Sequence, residues 1–349
     1  MPVLDDLAVP IVQAPMAGGP STPALAAAVC GAGGLGFLAA GYKTTDGLAA
    51  DVAAVRAATT RPFGVNVFVG GGAPADPAVV ADYARRLEAE ARRAGAELGA
   101  PRFDDDDYPG KIQHLVDDPV AVVSFTFGCP DPGTVTALRA AGSAVWVTVT
   151  EPEEAAQAQD TGADAVVVQG AEAGGHRGAF ADRADRVDTG LLALLQLVRA
   201  EVGLPLVATG GIATGAGVAA VLAAGAAAAQ VGTAFLRCPE AGTSDAHRAA
   251  LAWGRPTGLT RAFSGRLARG IVNRLQAQHS AAAPIAYPEI HHVTAPLRAH
   301  ARAAGDAEVI NLWAGEAYPL AQERPAAEVV ADLARGARAA LDAARARSG

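Results

Sequence analysis

Short apolar runs alternate with alanine-rich segments over the first two thirds of the chain. Many of the runs are rich in valine, as expected of strands buried in a parallel sheet. They predict eight strands: Ile11–Ala14, Gly36–Ala39, Phe63–Val69, Val120–Thr126, Ala144–Val149, Ala165–Gln169, Pro205–Ala208 and Ala228–Val231. The intervening segments predict seven helices: Pro23–Ala32, Thr45–Ala58, Pro77–Leu98, Pro132–Ala141, Pro152–Thr161, Thr189–Val202 and Thr214–Ala224. This alternation is typical of an α/β protein built as a (β/α)₈ TIM barrel.

Two segments depart from the alternation. Residues 97–119 contain the acidic, turn-rich sequence Asp104–Gly110. Such a run usually forms a solvated connection, although it could be a lid if it lies on the carboxyl face of the barrel. Beyond about Arg237 we expect no more strands, and the sequence looks helical. We therefore predict a barrel over residues 1–237 and a small, mainly helical extension over residues 238–349 that packs on the carboxyl face.

Composition and charge narrow the classes of function. The chain has 349 residues, of which 51% are hydrophobic, enough to bury one large core. Its formal net charge of -8, without a run of basic and aromatic residues, argues against a nucleic-acid partner. Cys30, Cys129 and Cys238 show no C-x-x-C spacing, so they indicate neither a disulfide framework nor a metal site.

No segment predicts a membrane or secretory protein. Asp5 and Asp6 interrupt the first residues, where a secretory signal would need an apolar core. The uncharged stretch Leu204–Leu236 is mostly alanine and glycine and is broken by Pro205 and several polar residues. We therefore expect a cytoplasmic protein with no membrane partner.

The loop after the sixth strand, Gln169–Gly178, has the composition of an active-site loop. His176 lies just past the carboxyl end of the strand, where α/β folds place their chemistry, and imidazole exchanges protons near neutral pH. Gly174 and Gly175 allow the backbone to approach a ligand closely. An exposed histidine in a glycine-rich turn is the alternative.

Glycine-rich turns follow the seventh and eighth strands as well. Gly210 and Gly211 lie in one turn, and Gly232 and Thr233 lie in the other. Turns of this kind that lead into helices present backbone N–H groups and helix dipoles to an anion, as in the phosphate sites of barrels. The phosphate could belong to a sugar phosphate, a nucleotide or a flavin.

The loops at the carboxyl ends of the strands form a rim around the barrel. The other residues expected on this rim are amides and a thioether: Gln13, Met16, Asn66 and Gln169. The rim lacks the clustered carboxylates that glycosidases and metal sites need. Amides that donate and accept suit the edge of a planar heterocycle such as isoalloxazine. This composition favours a flavin.

Four ordered segments resemble those of the bacterial class I nitronate monooxygenases: Gln13–Gly19, Ser124–Pro130, Gln169–Gly178 and Gln230–Leu236. The resemblance covers nearly the whole chain. It implies an FMN-bearing barrel that oxidises alkyl nitronates, such as propionate 3-nitronate, with O₂ to a carbonyl compound and nitrite, a reaction that detoxifies nitroalkanes. It leaves open whether the protein forms a homodimer.

The same resemblance assigns roles to residues. It implies that His176 is the catalytic histidine, stabilising the nitronate if protonated or acting as a base toward a nitroalkane if neutral. It implies a cofactor site in which three side chains contact the flavin ring, small residues lie beside it, and the glycine turns hold the ribityl phosphate region. These residues are Ala14, Met16, Asn66, Gln169, Gly174, Gly175, Gly210, Gly211, Gly232 and Thr233.

Other residues stay without a predicted role. Glu316 follows W-A-G where the family is expected to have glutamine, and could add negative charge near the substrate. Ordinary packing is the simpler interpretation for Tyr287, Tyr318 and the His291–His292 pair, and surface packing for Arg261, Arg266 and Arg269. Cys129 has no neighbouring base that would make it a nucleophile.

Two other functions remain open. An FMN-dependent enoyl-acyl-carrier-protein reductase has a similar barrel and a similar E-A-G-G-H loop, but needs a nicotinamide donor. A non-catalytic barrel that binds a flavin or a phosphate ligand is the second alternative.

Overall fold

Parallel strands form the centre of the protein, and helices surround them. The computed structural model describes residues 3–70, 72–185 and 188–348. Its strands are β1 (Ile11–Gln13), β2 (Phe37–Ala39), β3 (Gly64–Phe68), β4 (Val122–Thr126), β5 (Ala144–Val149), β6 (Ala165–Gln169), β7 (Gly175–His176), β8 (Leu206–Thr209), β9 (Ala228–Val231), β10 (Thr257–Thr260) and β11 (Ala268–Ile271). Its helices are α1 (Pro23–Gly31), α2 (Thr45–Ala58), α3 (Pro77–Ala94), α4 (Tyr108–Asp117), α5 (Pro132–Ala141), α6 (Pro152–Asp160), α7 (Leu191–Glu201), α8 (Gly215–Ala223), α9 (Asp245–Ala250), α10 (Arg274–His279), α11 (Glu289–Ala303) and α12 (Ala326–Ser348).

The eight-stranded sheet has the strand order β1-β9-β8-β6-β5-β4-β3-β2, and every neighbouring pair is parallel. A parallel bridge between Val12 and Leu35, just before β2, brings the two edges of the sheet together. The predicted (β/α)₈ barrel is thus confirmed, and each predicted strand overlaps an observed one.

The inside of the barrel changes from apolar to polar along the strand direction. Trp146 and Phe37 belong to an apolar cluster at the amino end, with ring centroids 5.8 Å apart. Two residues further along β5 on the same face, Thr148 lines a cavity at the carboxyl end, as do Asn66 of β3 and Gln230 of β9. The strand alternation therefore seals one end of the barrel and supplies amides and hydroxyls at the other.

The acidic segment within residues 97–119 is more ordered than a solvated connection. It contains α4, whose Lys111 ammonium is fully buried and lies 2.8 Å from the Asp106 carboxylate. Asp104 lies 2.9 Å from the His292 imidazole of α11. The expectation of a purely solvated run is therefore wrong for Asp104 and Asp106, whereas Asp105 and Asp107 are exposed.

The C-terminal part contains strands, so the expectation that strands stop after Arg237 is wrong. β10 pairs with β11, and β11 pairs with β7, all antiparallel. Their sequences, T-G-L-T and A-R-G-I, lack the valine-rich run that marks a buried parallel strand. Since Ala268 pairs with His176, this small sheet fixes the loop Gln169–Gly178, which we call the histidine loop.

Helix α12 packs against α8 and α1, within the ring of barrel helices. The contact with α8 is close, because a Cβ on Gly215 would lie 2.4 Å from the carbonyl carbon of Gly336. The division of the chain at Arg237 into a barrel and an extension stays a prediction. Residues 326–348 belong to the predicted extension but pack on helices of the barrel. Within the described ranges, no helix has both the length and the apolar character to cross a membrane.

Candidate active site

A cavity of about 300 Å³ opens at the carboxyl ends of the barrel strands. Every residue predicted for the catalytic and cofactor sites lines it: Ala14, Met16, Asn66, Gln169, Gly174, Gly175, His176, Gly210, Gly211, Gly232 and Thr233. Their roles toward a cofactor stay predictions. Gln13, expected on the same rim, is instead fully buried and accepts a hydrogen bond from the Phe37 N–H, so it joins β1 to β2.

His176 is held among aromatic rings and one hydroxyl. Its Nε2 lies 2.8 Å from the Ser264 Oγ. The rings of Trp313 and Phe127 lie 5.4 and 5.6 Å from the imidazole, both edge-on. The Ser264 hydroxyl also lies 3.2 Å from the Arg266 carbonyl oxygen. Because this hydroxyl can donate to either neighbour, the imidazole proton can reside on Nε2 or on Nδ1.

The surroundings of His176 keep its imidazole neutral. Burial, followed by the positive charges of Arg266 and Arg298, lowers the pKa of His176 from 6.5 to about 3, against an opposing effect of Asp182. Of the two states considered from the sequence, the neutral ring therefore prevails near pH 7. It can accept a proton or donate its single N–H.

Asn66 has one polar atom left for a ligand. Its Nδ2 lies within 3.1 Å of the Ser124 carbonyl oxygen, the Ser124 hydroxyl and the Thr126 hydroxyl, which uses both amide hydrogens. Among the described residues, none donates a hydrogen bond to its Oδ1. At this position the cavity thus offers an acceptor for an N–H group.

Gln169 braces the histidine loop. Its Nε2 donates to the His176 carbonyl oxygen at 3.1 Å, and its Oε1 accepts from the Gly178 N–H at 2.8 Å. One amide hydrogen and one lone pair remain for other contacts. The residue links the end of β6 to β7 and lines the cavity at the same time.

The glycine turns have backbone conformations that favour glycine. Gly210, Gly211 and Gly175 have φ angles of 120°, 68° and 78°. A Cβ on Gly175 would meet no atom within 4 Å, so this position faces open space. Thr233 Oγ1 accepts a hydrogen bond from the Gly315 N–H at 3.0 Å, which leaves its hydroxyl hydrogen free to donate. These features fit an anionic group at this corner.

Two charged residues of the histidine loop, Arg177 and Glu172, stabilise the loop and the start of α7. Arg177 is buried and lies 3.1 Å from the Asp188 carboxylate. The Glu172 carboxylate accepts a hydrogen bond from the Leu191 N–H at 3.1 Å, where α7 begins without a capping side chain of its own. Neither residue lines the cavity.

The C-terminal extension, residues 238–349, adds aromatic and basic residues to the cavity. The sequence alone did not indicate where these residues lie. His291 and Tyr318 line it, whereas Tyr287 and His292 line a second cavity beside the acidic segment. His291 stacks on Tyr42 with ring centroids 4.1 Å apart. The one signal in the sequence for these residues was the expectation that the C-terminal extension packs on the carboxyl face of the barrel.

Three arginines of the C-terminal extension and Glu316 have partners within the protein. Arg269 pairs with Glu316 at 3.0 Å, so the carboxylate that replaces the expected glutamine is compensated. Arg266 is 9% exposed and stacks on Phe127 at 4.0 Å. Since Arg261 also pairs with Asp182 at 2.7 Å, the expectation of surface packing for these arginines is wrong.

Cys129 is unsuited to nucleophilic chemistry. Its thiol lies 3.2 Å from the Thr161 hydroxyl. Burial raises the pKa of Cys129 above its ordinary value, which disfavours the thiolate. The structure thus supports the expectation that Cys129 is not a nucleophile.

Comparisons with known proteins agree with this geometry. The family model described as nitronate monooxygenase matches residues 2–336. A nitronate monooxygenase of Paraburkholderia phytofirmans is 42% identical over 347 residues, covering 96% of this chain and 94% of the relative. The structure of a nitroalkane oxidase from Streptomyces ansochromogenes superposes with a TM-score of 0.96 at 50% identity, covering 98% of this chain and 99% of that one. FabK from Thermotoga maritima is more distant, with a TM-score of 0.77 at 26% identity, covering 99% of this chain and 97% of that one.

Proposed function

The chain belongs to the nitronate monooxygenase family, and we propose that it uses FMN and O₂ to oxidise alkyl nitronates to a carbonyl compound and nitrite. Propionate 3-nitronate is a representative substrate. The observation that supports this most strongly is the cavity itself, because His176 and the ten residues expected around a flavin all line it. The family consists of flavin-dependent oxidoreductases, and FMN is our assignment.

The residues present fit FMN. The Asn66 Oδ1 would accept an N–H of the ring system, and Ala14 and Met16 would lie beside the ring. Gly210, Gly211 and the Thr233 hydroxyl would hold the phosphate. When bound, FMN supplies the acceptor for the electrons of the nitronate and the donor that reduces O₂.

The protein's own residues bind and orient the substrate. A nitronate is already an anion, so no difficult proton abstraction is required, and positioning accounts for much of the catalysis. With its proton on Nδ1, His176 would donate a hydrogen bond to a nitronate oxygen, while the Ser264 hydroxyl donates to Nε2. With the proton on Nε2, the free Nδ1 could accept a proton from a nitroalkane, but a pKa of about 3 makes it a weak base. Preformed nitronates are therefore the better substrates.

The rings around His176 restrict water. Phe127, Tyr287 and Trp313 surround the imidazole on several sides. An apolar environment admits O₂ and strengthens the hydrogen bonds made inside it. Both effects favour the oxidation of a bound nitronate.

Oxygen uptake and nitrite formation test the proposed function against the two alternatives. The FMN-loaded protein is mixed with propionate 3-nitronate in air, and in parallel with NADH and an enoyl thioester. We expect oxygen uptake and nitrite in the first reaction and no enoyl reduction in the second. Enoyl reduction without nitrite would establish the reductase. Bound flavin without turnover in either reaction would establish a binding protein.

A cytoplasmic location is part of the proposal. Cys30, Cys129 and Cys238 form no disulfide with one another, as expected in a reducing compartment. A homodimer stays a prediction.

A further inference from the structure

Helix α11 carries two arginines, Arg298 and Arg302, that line the cavity. Arg298 is 6% exposed. In the described parts of the chain, neither guanidinium forms an ion pair with a carboxylate. Three other buried or half-buried arginines do: Arg177 pairs with Asp188, Arg261 with Asp182 and Arg269 with Glu316.

Neutral groups hold the two guanidiniums in place. The Asn311 Oδ1 accepts a hydrogen bond from Arg298 at 3.1 Å and from Arg302 at 2.8 Å, so one oxygen sets both side chains next to each other. Arg298 also donates to the Thr294 hydroxyl at 3.0 Å and to the His291 carbonyl oxygen at 3.0 Å. The arrangement is fixed but not neutralised.

His291 adds no charge to this wall of the cavity. Its Nδ1 lies 3.2 Å from Arg298 Nη2, which can only donate, so Nδ1 is the acceptor and the ring proton is on Nε2. Burial and the charge of Arg298 lower the pKa of His291 to about 2, so the ring is neutral. The positive charge at this wall of the cavity therefore belongs to the arginines.

The cavity has no acidic residue that could balance them. Among the described residues that line it, none is aspartate or glutamate, although the chain contains 36 acidic residues. The nearby charge of Arg302 adds to burial in lowering the pKa of Arg298, to about 10, which still leaves Arg298 cationic at neutral pH. Two positive charges held side by side away from water are unfavourable. An anionic ligand would compensate them.

We propose that Arg298 and Arg302 form an anion subsite that binds a carboxylate group carried by the nitronate substrate. Arg298 keeps one N–H group outside these contacts and Arg302 keeps four, so the pair can form charge-assisted hydrogen bonds with a carboxylate, and Arg302 can present a guanidinium fork to it. The subsite itself stands on the contacts of α11, while its role in selecting substrates rests on the proposed function. It makes the protein selective for nitronates that end in a carboxylate over those that end in a methyl group.

Two nitronates of similar length test the selectivity: propionate 3-nitronate and propyl-1-nitronate. In Arg298→Gln we expect KM for propionate 3-nitronate to rise about tenfold or more, and KM for propyl-1-nitronate to change by less than about twofold. Arg298→Lys should recover part of the loss, because it keeps the charge but not the guanidinium geometry. The control is Arg255→Gln, since Arg255 pairs with Glu308 at 2.7 Å outside the cavity and should leave both KM values unchanged.

A binding measurement separates the subsite from the proposed function. Malonate should raise the thermal midpoint of the wild-type protein, and this shift should disappear in Arg298→Gln and in Arg302→Gln. If the wild type oxidises neither nitronate, the proposed function fails while a malonate shift that depends on the arginines still supports the subsite. No malonate shift in the wild type, or equal changes of both KM values in the Arg298 variants, would overturn the subsite. Circular dichroism shows which variants fold, and Arg298→Lys carries the test if Arg298→Gln does not.

Discussion

At the residue scale, single polar atoms decide what the cavity can bind. The Asn66 amide nitrogen is committed to three oxygens on β4, so only its carbonyl oxygen is available to a ligand. His176 is neutral because protein atoms and positive charges surround it. Both properties depend on neighbours from distant parts of the chain.

Replacing Asn66 with aspartate tests the orientation of its amide. In Asn66→Asp a carboxylate would face three oxygen atoms and leave the Ser124 carbonyl oxygen without its donor, which we expect to cost at least about 1–3 kcal/mol in the free energy of unfolding. Urea unfolding measures the change. Gln113→Glu makes the same chemical change at an exposed position on α4 and should stay within about 0.5 kcal/mol of wild type. A loss of similar size in both variants would show that the assigned hydrogen bonds are wrong.

At the element scale, the crossing of α8 and α12 depends on two glycines. Gly215 and Gly336 let the backbones of the two helices approach more closely than a side chain would allow. Because α12 also contacts α1, this crossing attaches the C-terminal helix to the barrel.

Two alanine substitutions on α8 should have opposite effects. In Gly215→Ala the new Cβ would lie 2.4 Å from the Gly336 backbone, so we expect a loss of about 1–3 kcal/mol in the free energy of unfolding. In Gly217→Ala the nearest atom would lie 3.6 Å away, and alanine should stabilise the helix by about 0.5–1 kcal/mol. Equal effects, measured by urea unfolding, would mean that α12 does not pack on α8 as described.

The same elements show what the sequence could and could not predict. The barrel strands were predictable because each is a short, local apolar run, and the site was predictable because the carboxyl ends of parallel strands meet at one face. β10 and β11 were missed because neither contains an apolar run and because β11 pairs with β7, which is distant in the sequence. Arg298 was missed, and His291 was left without a role, because only the packing of α11 brings them to the cavity.

At the scale of the whole molecule, charge is distributed unevenly. The chain carries a formal net charge of -8, yet the cavity is lined by histidines and arginines. The desolvation of these groups links the stability of the protein to pH. The arginines in the cavity wall can therefore attract an anionic ligand although the net charge is negative.

The buried histidines predict a loss of stability in mild acid. Burial is the main cause that lowers the pKa of His247 from 6.5 to about 4, so below pH 6.5 the unfolded state binds a proton that the folded state does not. Stability should therefore fall as pH falls from 6.5 toward 4, by up to about 1.4 kcal/mol per pH unit from this residue. Urea unfolding at pH 7.5 and 5.5 measures the difference.

His247→Gln should reduce that pH dependence, because the titrating group is removed. His300→Gln, at an exposed position on α11, is the matched control and should leave it unchanged. If the two variants show the same dependence as wild type, His247 is not held neutral in the folded protein.

The most direct test of nitronate oxidation in this cavity compares wild type with His176→Asn, both loaded with FMN. Flavin content is measured by visible absorbance, and nitrite and oxygen uptake are measured with propionate 3-nitronate. We expect both proteins to bind FMN and the variant to form nitrite at least about 100-fold more slowly. Undiminished nitrite formation by His176→Asn, or none by the flavin-loaded wild type, would contradict the assignment.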